Sequence, residues 1–143
     1  MKNGIYQVSE ETLKKQLKRI VNEKVIRINA SKIYDYKTLI SSIGAAFGMN
    51  KKQVGENYVL PGFTDNFGDF LYYETTEKQK NYILVLENWS NIQNEIPQLS
   101  KIKILKRKEN YLKELQYVIE FLSEFDPTDP DEELIDFTVF VVD

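Results

Sequence analysis

The chain contains no cysteine and no histidine. Disulfides, thiolate chemistry and Cys/His zinc sites are therefore excluded, and so is any mechanism that uses histidine as a general base. Carboxylates, lysine, serine and tyrosine remain, so catalysis is disfavoured rather than forbidden, and no enzyme activity, cofactor or metal is expected. Long apolar runs are also missing: none reaches the roughly 18 residues needed to span a bilayer. The opening Met1-Lys2-Asn3-Gly4-Ile5-Tyr6 has no apolar core of the secretory kind, so a cytoplasmic location is expected. There is no Gly-rich phosphate loop and no Gly-x-Ser-x-Gly elbow, and Ser31, Ser41 and Ser42 have no histidine to activate them. Neither an internal repeat nor a Gly/Ser-rich linker breaks the 143 residues, which are expected to form one domain with residues 1–24 as an N-terminal helical extension.

What is present is a globular composition, with 42% apolar residues, enough at this length to bury a substantial core. The net charge of -3 conceals a strong asymmetry. Residues 1–113 hold all nineteen basic groups and twelve acidic ones; from Glu114 onward there are ten acids and no base. An acidic face or tail that meets a basic partner is one consequence, and a solubilising surface is the other.

Periodicity divides the chain into helices and strands. Ser9 can cap a helix whose first turn holds Glu10 and Glu11, with Leu13, Leu17, Ile20 and Val21 at helical spacing. Val25-Ile26-Arg27-Ile28-Asn29 is strand-like. A helix is predicted from Tyr36 to Phe47 on the stripe Leu39, Ile40, Ile43 and Phe47, stopped by Gly48, with Gly44-Ala45-Ala46 permitting close approach of another element. Residues 51–62 carry Gly55, Pro61 and Gly62 and are expected to be a loop. A short helix is predicted from Asn66 to about Glu77. Tyr82-Ile83-Leu84-Val85-Leu86-Glu87 has the continuous apolar character of a strand buried on both faces. Pro97 limits any helix before Lys106. Lys108 to Phe125 is the clearest helix, with Tyr111, Leu112, Leu115, Val118, Ile119 and Leu122 on its inner stripe, and Phe137 to Val142 closes the chain as a strand. Strands separated by helical crossovers imply an α/β fold with a three-stranded parallel sheet flanked by helices.

The order of these elements resembles the barstar family of ribonuclease inhibitors over roughly Lys24 to Asp143. Three stretches carry the likeness: Val25-Ile26-Arg27-Ile28-Asn29 with the helix at Tyr36 to Phe47; Asn66-Phe67-Gly68-Asp69-Phe70-Leu71-Tyr72-Tyr73 followed by Ile83-Leu84-Val85-Leu86-Glu87 and Trp89; and the last helix with the terminal strand. In that family a loop and the following helix plug the nuclease active site. The resemblance implies a protein inhibitor of immunity or antitoxin type, whose partner is a basic ribonuclease or other nuclease toxin, with no direct contact to nucleic acid or membrane. It assigns the contact to Asn66, Asp69 and Tyr72 on the central helix, with Tyr73 where the family carries its key acid, Glu74 one residue later, and Glu120 on the last long helix. Gly68 is an extra residue against the family pattern. The physical logic is that a carboxylate on a rigid helix can occupy a phosphate's place among arginines and lysines, while neighbouring aromatics supply buried area. The alternative is a non-inhibitory interaction module on the same fold.

Each candidate also has a plainer reading. Asp69 and Glu74 can lie on a solvated helix face; Phe67, Phe70 and Trp89 fit a core better than a binding surface. The run Lys101-Ile102-Lys103-Ile104-Leu105-Lys106-Arg107-Lys108 is expected to be a solvated loop leading into the last helix rather than a nucleic-acid site, because no stacking motif accompanies it. Asp126, Asp129, Asp131, Glu132 and Glu133 lack the central glycine and distal ligand of a calcium loop.

Overall fold

The computed structural model describes residues 3–20, 24–55, 62–74, 81–92, 101–124 and 135–143. Four strands, β1 (Gly4–Val8), β2 (Lys24–Asn29), β3 (Asn81–Glu87) and β4 (Asp136–Val142), form one sheet in the order β1-β4-β3-β2. All three pairings are parallel, with Ile28 opposite Leu86, Leu84 opposite Val139 and Tyr6 opposite Phe140. Among the described residues five α-helices accompany the sheet: α1 (Glu10–Lys18), α2 (Tyr36–Phe47), α3 (Lys51–Val54), α4 (Gly62–Asp69) and α5 (Lys101–Ser123).

The fold class is therefore α/β with a parallel sheet flanked by helices, but the sheet has four strands and not the three expected. The expected three form a contiguous run, β2-β3-β4, and Gly4–Val8 adds a strand beside β4. That strand escapes a sequence reading because its residues are only half-buried, apart from the exposed Gln7, and it sits at a sheet edge. Its backbone becomes a strand by bonding to β4, a partner more than 130 positions away.

Side-chain alternation sends the two faces of the sheet into separate apolar layers. On one face Ile26, Ile28, Tyr82, Leu84, Leu86, Phe137, Val139 and Val141 join Leu39, Ile40, Ile43 and Phe47 of α2, Phe63 and Phe67 of α4, and Tyr111, Leu115, Val118, Ile119 and Leu122 of α5. On the other, Ile83, Val85, Phe140 and Val142 meet Leu13 of α1, with Tyr6, Val8, Leu17 and Ile20 around them. This two-sided burial is why β3 and β4 are almost wholly apolar. Trp89, in a short 3-10 turn after β3, is buried in the larger layer as packing.

Local chemistry sets the helix ends. Ser9 caps α1 by accepting from the Thr12 amide. Asp35 and Thr38 form a reciprocal capping box at the start of α2, and Gly48, at a φ of 77°, ends it in the left-handed conformation. Gly44 lies directly under a methyl of Val54, so α2 and α3 meet where the Gly-Ala-Ala segment permits close approach. At the carboxyl ends of the strands, Asn88 (φ 56°) donates its amide to the Asn29 side chain at 3.1 Å, and Arg27 pairs with Glu87 at 2.7 Å across β2 and β3.

Candidate functional site

The central helix is anchored by aromatics. Phe67 is fully buried and touches three other rings: Phe47 edge-on at 4.9 Å, Phe137 edge-on at 5.6 Å and Phe63 stacked at 5.6 Å. Each such pair contributes about 0.5–1.5 kcal/mol beyond its buried area, so the inner face of α4 is held firmly on β4 and α2. Phe70 and Leu71 are buried in the same layer. Phe67, Phe70 and Trp89 are thus core residues.

The helix begins at Gly62 rather than at Asn66, and after Asp69 it continues as a π-helical turn over Phe70–Glu74. Two links tie α4 to α5. The Thr64 hydroxyl donates to Glu114 Oε2 at 2.9 Å. At Gly68 a Cβ would come within 2.6 Å of the Phe121 ring, so only glycine lets the two helices approach this closely. Gly68 is therefore a packing requirement of this chain.

With that inner face fixed, Asp65 and Asp69, four residues apart, both point outward and are exposed. Among the described residues no ion pair or side-chain hydrogen bond engages Asp69. Asn66 is half-buried and donates its amide to the Val54 carbonyl at 3.4 Å, a bond that ties α4 to α3. Asn66, Asp69 and Phe70 form one side of an open groove of about 390 Å³, and Asn50, Lys52 and Gln53 form the other. Asn50 and Gln53 hold each other in a capping box, each accepting the other's amide at 2.8–2.9 Å. This short helix lies in the stretch expected to be a loop. Its sequence signal was Asn50-x-x-Gln53, the capping-box spacing.

Tyr72 is half-buried against the larger apolar layer, so only part of it reaches the surface. Tyr73 and Glu74 belong to the π-helical turn, and their side chains lie outside the described residues. Glu120 is exposed on α5, one position before the Phe121 ring that packs on Gly68. The structure thus brings Asn66 and Asp69 to one groove, with Glu120 beside the neighbouring α4–α5 seam.

The basic run 101–108 is helical, forming the first turns of α5, and not a loop. Ile104, Tyr111, Leu115 and Val118 carry one inward stripe through the whole helix, with Ile104 half-buried and the other three buried. The acids from Asp126 to Glu133 lie outside the described residues. Among the described residues no cluster of acidic side chains could hold a metal ion, and no helix is long and apolar enough to cross a membrane.

What the groove offers is one carboxylate, one ammonium, three side-chain amides and an aromatic edge. Such groups can form hydrogen bonds and ion pairs, and offer little apolar area. No protein-family model and no curated protein matches this sequence.

Proposed function

We propose that this protein is an inhibitor of barstar type, which binds a basic ribonuclease or related nuclease toxin through the outer face of α4. The observation that carries the reading is Asp69: an exposed carboxylate, unpaired among the described residues, on a helix whose opposite face is locked into an aromatic core. A carboxylate held this way loses little side-chain and backbone freedom on binding, which is where preorganised contacts gain affinity. It can accept a bidentate bond from an arginine that otherwise holds phosphate. Three contiguous parallel strands, β2-β3-β4, in chain order, support the same reading, as does the acidic balance of the last thirty residues. Asn66 supports the helix from its α3 side, and Tyr72, Tyr73, Glu74 and Glu120 extend the proposed contact.

Lys52 favours a second reading, a non-inhibitory interaction module on the same fold. It lines the groove together with Asp69, so the surface is mixed in charge rather than purely acidic. A partner with paired charges of both signs fits that better than a phosphate-binding cleft.

The deciding experiment is capture of partners on the immobilised protein, followed by a ribonuclease assay of what is captured. An inhibitor retains a basic nuclease and silences it, and Asp69→Ala weakens the complex by about 2 kcal/mol or more, a loss of roughly thirtyfold. A captured nuclease that stays active, or an unchanged affinity with Asp69→Ala, removes the proposed site.

A further inference from the structure

The charges on α5 run against its own dipole. A helix favours acids near its amino end and bases near its carboxyl end. Here residues 101–108 carry five cations, no acid lies in the first turn, no base lies in the last, and the helix after Lys113 holds only Glu114 and Glu120. Apolar side chains are exposed on the same helix: Ile102 at 78%, Leu105 at 58% and Tyr117 at 45%. Neither feature is explained by packing among the described residues, because the inward stripe through Tyr111 and Leu115 faces the other way.

The outward stripe has a regular spacing. Ile102, Lys106, Glu109, Lys113, Gln116 and Glu120 follow one another at alternating steps of four and three, which places them along one face of the helix. All are exposed except the half-buried Gln116. A parallel mate would place basic end on basic end. An antiparallel mate does the reverse, and it also opposes the two helix dipoles.

We propose that a second copy of this chain docks on this face, with the two α5 helices antiparallel about a two-fold axis between residues 109 and 113. In that arrangement Glu109 lies against the partner's Lys113, Lys106 against the partner's Gln116 and Ile102 against the partner's Glu120. The contact is isologous, so every pair occurs twice. It does not rest on the inhibitor reading, whose contact is centred on α4 and shares only Glu120 with this face. With few apolar groups in the seam, association is driven by charge and is salt-sensitive.

The test is sedimentation of the full chain at about 0.1 mM protein, a concentration suited to a small, weak interface. Runs are compared at about 10 mM and about 1 M salt, where the Debye length is roughly 30 Å and 3 Å. Dimers at low salt that dissociate at high salt are expected. Glu109→Lys or Lys113→Glu alone weakens the dimer by about tenfold, and Glu109→Lys combined with Lys113→Glu restores it; circular dichroism checks that each variant is folded. A chain that is monomeric at low salt overturns the proposal. So does a dimer indifferent to both single reversals, or one that the folded double variant does not regain. A monomer that sediments with phosphatidylserine vesicles assigns the face to an anionic membrane instead.

Discussion

The hydroxyl of Tyr111 is fully buried and makes no well-formed hydrogen bond among the described residues, although the Arg107 side chain is near enough to interact with it. Burial raises its pKa above 10.0; the nearby Arg107 cation opposes that rise, while Tyr36 and Asp35 add to it. The ring itself is well used, meeting Tyr36 edge-on at 5.2 Å. Tyr111→Phe keeps the ring and removes the orphan hydroxyl, so it is expected to leave stability unchanged or raise it by about 1 kcal/mol at neutral pH. A raised folded pKa means that the folded state holds the phenolic proton more tightly than the unfolded one. Stability from this group is therefore complete below the unfolded value near 10 and falls as pH climbs towards the folded value. The phenylalanine variant lacks this alkaline loss. Urea unfolding of both proteins from neutral pH to above pH 10 checks it: curves that stay parallel throughout would contradict the assignment. Gly68 makes the complementary point about legibility. By composition it is only a poor helix former, and its purpose appears once Phe121 lies against it.

Among the elements, α1 was readable in detail, and the layer it packs into came from the tertiary structure. Its cap at Ser9 and its acids in the first turn were plain in the sequence. Leu13 is fully buried against Ile83, Val85, Phe140 and Val142, in the layer that covers the second face of the sheet. Leu13→Ala is expected to destabilise the protein by about 2–5 kcal/mol, the range for a large-to-small change in a packed core. Chemical denaturation monitored by circular dichroism measures this; a cost below about 1 kcal/mol, typical of a surface change, would return α1 to the status of an appendage. The amino half of α5 is less legible. Five cations in eight residues concealed its helix, because the inward stripe there depends on Ile104 alone before Tyr111.

For the whole molecule, removal of residues 1–23 is expected to expose Ile83, Val85, Phe140 and Val142 together and leave β4 as an unprotected sheet edge. Such a chain should bind a hydrophobic dye, lose cooperative unfolding and associate through the bare edge. Unaltered, cooperative unfolding of the truncated chain would show that the central three strands suffice. Sequence alone determined the absence of cysteine and histidine chemistry, the positions of β2, β3 and β4, the limits of α2, and the α/β class, because these follow from composition and from contacts a few residues apart. Tertiary structure decided the rest. The fourth strand exists because β4 supplies hydrogen bonds to Gly4–Val8 from the far end of the chain. Asp69 faces outward because Phe67, two positions earlier, is held by rings from α2 and β4. Asn50, Lys52 and Gln53 join the groove because Val54 packs on Gly44 and accepts a bond from Asn66. In each case the deciding interaction lies between residues distant along the chain, and local spacing carries no record of which distant partner a side chain or a backbone amide will meet.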